Sequence, residues 1–132
     1  AGMYSFIPTR RRRLQLLTMI NRSLEPGGYV LCSYNYNPNL QIIPRYEFIK
    51  RLVATVTGGY RDYEPGDRLH FSEFVHFFLS EDEFRTEAET AGFAMQHSIV
   101  SGKAGWGWAL LRKAAERSDN IMDKEIKPGR SK

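Results

Sequence analysis

The chain has 132 residues, 42% hydrophobic and 26% charged, which allows one domain with a real core and excludes disorder as its general state. Nineteen basic against fifteen acidic residues leave a net charge of +4, too modest to indicate a nucleic-acid partner without a concentrated patch. No apolar run approaches the roughly 20 residues that span a bilayer, and no basic-then-apolar leader opens the chain, so no membrane partner and a cytoplasmic location are expected.

Thr9 can cap a first helix, whose apolar positions Leu14, Leu17, Ile20 and Leu24 keep the three-to-four spacing of one buried face. Arg10 to Arg13 load the first turn with cations that oppose the helix dipole. Either solvation together with carboxylates in a missing half of the domain, or an anionic group on a substrate, should offset them. Pro26, Gly27 and Gly28 end the helix, and Tyr29 to Tyr34 is apolar on both alternating sets, which predicts a strand covered on both faces. Cys32, the lone cysteine, falls inside that run and reads as a buried, reduced thiol.

An asparagine- and proline-rich loop, Asn35 to Pro44, leads to a second helix with Pro44 in its first turn. Its apolar stripe is Phe48, Ile49, Leu52, Val53 and Val56, and Gly58 and Gly59 stop it. Glu64, Pro65, Gly66 and Asp67 spell a turn, and Phe74 to Leu79 a short strand. Ser80 with Glu83 forms a capping box that opens a helix burying Phe84 and Ala88 and closing at Gly92. Phe93 to Val100 and Trp106 to Leu111, joined by a glycine-containing turn, predict an antiparallel hairpin. The basic end, with Lys124, Lys127, Arg130 and Lys132, reads as a frayed tail.

Three stretches in this order carry a resemblance: Leu14 to Tyr34 (LQLLTMINRSLEPGGYVLCSY), Phe77 to Phe93 (FFLSEDEFRTEAETAGF) and Trp106 to Lys113 (WGWALLRK). Together they resemble the helix, proline-glycine-glycine break and fifth strand, the helix before the sixth strand, and the antiparallel seventh strand of class I S-adenosylmethionine-dependent methyltransferases. The resemblance implies an α/β fold: the C-terminal half of a Rossmann-like methyltransferase sheet ending in an antiparallel hairpin, with the N-terminal half missing. Residues 1–113 are then a partial domain, in which Ala1 to Ile7 resemble the tail of the fourth strand and the loop after it, and 114–132 a charged tail. The implied activity is methyl transfer from S-adenosylmethionine, chiefly to a small molecule. The glycine-rich turn and the acidic ribose ligand of the family should lie upstream, which leaves a fragment inactive alone that exposes an edge and an apolar surface.

Ligands of open α/β sheets bind outside the carboxyl ends of the strands. At the ends of the fourth and fifth strands that the resemblance implies, this points to Met3, Tyr4, Ser5, Tyr34, Asn35, Tyr36 and Asn37. With the resemblance, Ala1, Gly2 and Met3 are expected cofactor contacts, and Tyr4, Ser5, Tyr34, Asn35, Tyr36, Asn37 and Phe78 expected substrate contacts. Methyl transfer needs an in-line nucleophile and, for an acidic one, a base. His76, set among Phe74, Val75, Phe77 and Phe78, is the candidate base, kept neutral by burial. His70 and His97 read as structural or exposed, and the histidines and Cys32 show no metal-ligand spacing. The alternatives are a non-catalytic basic binding module, or half of a nicotinamide-dependent oxidoreductase, which an upstream pyrophosphate-type G-x-G-x-x-G would reveal.

Overall fold

The computed structural model describes residues 3–59, 62–70 and 73–115. Ala1, Gly2 and the 116–132 part of the expected tail lie outside them. The elements run α1 (Arg10–Ser23), β1 (Tyr29–Tyr36), α2 (Pro44–Thr57), β2 (Asp67–His70), β3 (Glu73–Phe78), α3 (Glu81–Thr90), β4 (Phe93–Ser101) and β5 (Trp106–Lys113). They form one sheet in the order β2-β3-β1-β5-β4. β3 runs parallel to β1, with Asn35 opposite Phe77, whereas β5 is antiparallel to both β1 and β4. The expected closing hairpin is therefore present, and it sits beside β1 rather than beyond the sheet's edge.

Local chemistry explains the element ends. The Thr9 hydroxyl accepts from the Arg12 amide at 3.3 Å and opens α1. Ser80 Oγ accepts from the Glu83 amide at 3.2 Å, but the Glu83 carboxylate takes the Leu79 amide at 3.0 Å, one residue before the position a capping box would use. Gly58, at φ 69°, closes α2 in the left-handed conformation that glycine adopts without a Cβ penalty. At the amino end, Met3–Phe6 is a single turn of 3₁₀ helix, within the stretch expected to hold the end of a strand and the loop after it.

The core lies between one sheet face and helices α1 and α3. Tyr34, Phe78, Phe84, Ala88, Leu17 and Leu111 are its buried centre. Phe84 stacks on Tyr34 with ring centroids 4.1 Å apart and meets Phe78 edge-on at 5.4 Å. Glycine is required at 107, because a Cβ there would come within 2.6 Å of the Tyr34 ring.

Two burial expectations for single elements fail, while the exposed apolar surface expected of a partial sheet is present. β1 is covered on one face only: Leu31 is 63% and Tyr29 53% exposed, and Trp108 and Ile99 extend this uncovered apolar face across β5 and β4. Full apolarity reported what the strand could bury, and the helices that the chain supplies pack on the opposite side. The apolar stripe of α2 likewise points outward, with Phe48 69% and Val56 79% exposed. Polar contacts tie α2 and the loop before it to β2, through Arg68 to Glu47 at 3.4 Å and to the Gln41 carbonyl at 2.8 Å.

Candidate functional site

Among the described residues, the densest polar chemistry is a buried network behind the carboxyl ends of β1 and β3. Its centre is Arg13, 1% exposed, paired with Glu87, also 1% exposed. Arg13 Nη2 donates to Glu87 Oε1 at 2.7 Å and Nε to Oε2 at 3.2 Å, a two-point fork that fixes both planar groups. The Tyr4 hydroxyl donates to Glu87 Oε2 at 2.5 Å, and Arg13 reaches Glu64 at 3.1 Å. Glu64 Oε1 accepts the Arg10 amide at 2.7 Å, satisfying one free N–H of the α1 amino end. For Arg10 and Arg13, carboxylates are thus supplied within this chain, by Glu64 and Glu87, while Arg11 and Arg12 are exposed to solvent.

Burial pushes the Tyr4 hydroxyl far above its ordinary pKa, and the adjacent Glu87 carboxylate pushes the same way. Burial alone would lower the pKa of Arg13, but its bonds to Glu87 and the field of Glu64 raise it, so Arg13 stays charged. Its guanidinium also lies over the Phe78 ring, 5.4 Å from the centroid.

The second half of the network is carried by the β2–β3 hairpin. His76 is fully buried, with Nδ1 2.7 Å from Asp67 Oδ1. Asp67 Oδ2 in turn accepts the Glu64 amide at 2.6 Å. On its other side, His76 Nε2 stands 3.4 Å from Glu83 Oε1 at the start of α3, beyond ordinary hydrogen-bond length. Burial, expected to disfavour the charged imidazole, is opposed here by its neighbours. Burial lowers its pKa, but the hydrogen bond with Asp67 and the nearby Glu83 carboxylate outweigh burial and raise it.

Gly66 sets this corner: it adopts φ 97°, and a Cβ would lie 2.3 Å from the Phe77 carbonyl oxygen. Gly66→Ala should therefore cost about 1–3 kcal/mol in backbone strain before the clash is relieved. A urea titration of the variant checks this through a lowered midpoint at unchanged slope. A midpoint within error of the parent's would show that the corner relaxes freely.

The oxygens of Glu64 and Asp67 and a ring nitrogen of His76 fall within 4.8 Å of one another, a spacing that invites a metal reading. Each already has a partner, and the Arg13 guanidinium stands where a cation would compete. The set reads as an ion-pair network completed by arginine.

The substrate candidates divide. Tyr4, Ser5, Tyr34 and Phe78 are buried, while Asn35, Tyr36 and Asn37 are partly exposed at the end of β1. Ser5 Oγ accepts the Asn35 amide at 2.7 Å, Tyr4 is bonded to Glu87, and Asn37 Oδ1 accepts the Asn39 amide at 3.1 Å. Met3 is 84% exposed, and Ala1 and Gly2 lie outside the described residues. Among the described candidates, Tyr4, Ser5 and Asn37 thus already have polar partners, whereas the buried Tyr34 hydroxyl has none. His97 is exposed, as expected. A groove of about 690 Å³ runs along α1 past Arg11, Gln15 and Arg22, and another of about 410 Å³ lies at Phe6, Glu73 and Phe74. Cys32 is partly buried, and burial followed by the Glu87 field pushes its thiol up to about 12, which keeps it protonated and unreactive.

Sequence reading missed Asp67 and Glu87. Asp67 sits in a turn motif, where aspartate is common for local reasons, and Glu87 is one of several acids on an acidic helix. The spacing of Phe84 and Ala88 was the available signal, since it puts position 87 on the same helix face.

No protein-family model matches the chain, and neither does any curated protein. Among solved structures, a SAM-dependent methyltransferase from Methanosarcina mazei is similar with a TM-score of 0.58 at 19% identity, over 85% of this chain and 56% of that one. The fold resembles that of a SAM-dependent methyltransferase. A possible exported protein from Bordetella parapertussis is similar with a TM-score of 0.52 at 20% identity, over 83% of this chain and 36% of that one. The chain thus spans little more than half of the first structure and about a third of the second. At these identities the likeness concerns the fold. No helix among the described residues is long and apolar enough to cross a membrane.

Proposed function

We propose that this chain is the acceptor-side portion of an S-adenosylmethionine-dependent methyltransferase whose methyl acceptor is a small molecule. The observation that carries the reading is the sheet itself: β1 followed in space by an antiparallel β5 and then β4, with α1 and α3 on one face, in a fold similar to a methyltransferase. When bound, the cofactor would supply an electrophilic methyl group. The chain's own residues would orient the acceptor, and the part-exposed Asn35, Tyr36 and Asn37 at the end of β1 are the groups proposed to do so. Tyr4, Ser5, Tyr34 and Phe78 would back them as a rigid wall. His76 could take a proton from the acceptor only after Glu83 left Nε2, so its proposed service as a base depends on movement of that side chain.

Calorimetric titration with S-adenosylmethionine tests the reading. The 132-residue chain should show no heat of binding, whereas a longer parent carrying a strand, a glycine-rich turn and an acidic residue ahead of it should bind. Tight binding by the 132 residues alone would overturn the placement of the cofactor site. A longer parent that bound NADH and not S-adenosylmethionine would replace methyl transfer with hydride transfer.

A further inference from the structure

His76 links the β2–β3 hairpin to the first turn of α3, beside the core contact that Phe78 of β3 makes with Phe84 of α3. Its Nδ1 is bonded to Asp67 on β2, while Nε2 faces Glu83 in the first turn of α3. The groups around it come from every packed element: Asp67 and the Glu64 turn on the hairpin side, Glu83 and Glu87 on α3, and Arg13 on α1. Arg13 is engaged with Glu87 and Glu64, and Tyr4 also donates to Glu87, so Glu83 is the carboxylate left to face Nε2.

An imidazole has two ring nitrogens, and only the cation carries a proton on both. With Nδ1–H kept on Asp67, loss of the second proton leaves a lone pair on Nε2 directed at a carboxylate. An attraction becomes a contact between two acceptors. Glu83 has another hold, on the Leu79 amide at 3.0 Å, and can swing from His76 without leaving the helix end uncapped.

We propose that His76 is a charge-operated latch: as an imidazolium it clamps the β2–β3 hairpin to the start of α3, and when neutral it releases Glu83 and lets the hairpin open. The proposal is independent of methyl transfer, because it concerns how the hairpin is held and not what binds beside it.

The sign of the pH dependence follows from both partners. The raised His76 value means that its contribution is complete below the ordinary 6.5 and is lost as pH rises through the folded value. Glu83 is lowered: burial opposes this, but His76 and the Leu79 amide prevail, so its contribution is complete above the ordinary 4.5 and is lost as pH falls through its folded value. The latch is therefore closed most firmly between these two ordinary values and opens on the alkaline side.

The test is amide hydrogen exchange on the full chain, with His76 titrated in parallel by imidazole nitrogen NMR. The readout is the exchange rate of the β2–β3 ladder amides divided by that of β5 amides, which removes the intrinsic pH effect. Each unit by which the folded His76 value exceeds the unfolded one should raise that ratio about tenfold across the titration. Glu83→Gln keeps an oxygen for the Leu79 amide and removes the charge facing Nε2, so in E83Q the His76 titration and the step in exchange should both move to lower pH. A ratio that stays flat while His76 titrates, or an E83Q protein whose step does not move, would overturn the latch.

Discussion

Arg13→Ala should destabilise the protein by about 3–5 kcal/mol, because it leaves the Glu87 carboxylate buried with its principal counter-ion gone. Both partners are 1% exposed, so neither solvent nor salt can replace the lost interaction. Tyr4 would remain as a donor to Glu87, but one hydroxyl cannot offset a charge deprived of a two-point guanidinium contact. Urea unfolding followed by circular dichroism gives the magnitude. The pair and the single variant should behave differently: replacing Arg13 by methionine and Glu87 by leucine together removes both charges, and should recover most of the loss. A single variant that loses less than about 1 kcal/mol would mean that the network is wet in solution.

Phe84→Ala is expected to cost about 3–5 kcal/mol through a different mechanism, the cavity left in a close-packed aromatic cluster. Phe84 is fully buried, stacked on Tyr34 at 4.1 Å and edge-on to Tyr4 at 5.6 Å and Phe78 at 5.4 Å. Those neighbours come from the amino-terminal turn, β1 and β3, so the site cannot collapse without moving all three. Phe84→Leu should lose clearly less, since it keeps most of the apolar volume. Equal losses in the two variants, measured by the same urea titration, would show that the ring-ring geometry matters more than the volume. Because Arg13 also lies over Phe78, the two sites share a neighbour, and the Arg13 and Phe84 variants should not combine additively.

Burial and charge pairing bear on function through the same residues. Tyr4, Tyr34 and Phe78 stand where the strand-end rule looks for substrate contacts, yet they are closed into the core, and Asn35 to Asn37 are what reaches the surface. In the proposed methyltransferase, the network would act as a rigid backing for the acceptor wall. The hairpin that carries Asp67 and His76 would be its adjustable side.

The features legible in the sequence were those with short-range causes. The caps at Thr9 and Ser80, the proline start and glycine stop of α2, and the β4–β5 hairpin depend on residues a few positions apart, and each lies where local chemistry puts it. The order of these elements also sufficed to indicate the α/β class and its resemblance to methyltransferases. What only the tertiary structure decided is which face of each element is covered and which charges meet. Leu31 on β1 and Phe48 on α2 carry the right pattern for burial and remain exposed, because periodicity records a capacity for burial and not the presence of a covering layer. Arg13 meets Glu87 across 74 positions, and His76 meets Asp67 through the register of a hairpin whose first strand had no alternating signal of its own. Contacts of that range depend on chain topology and on the low dielectric of a formed core, and neither is written in any local window of residues.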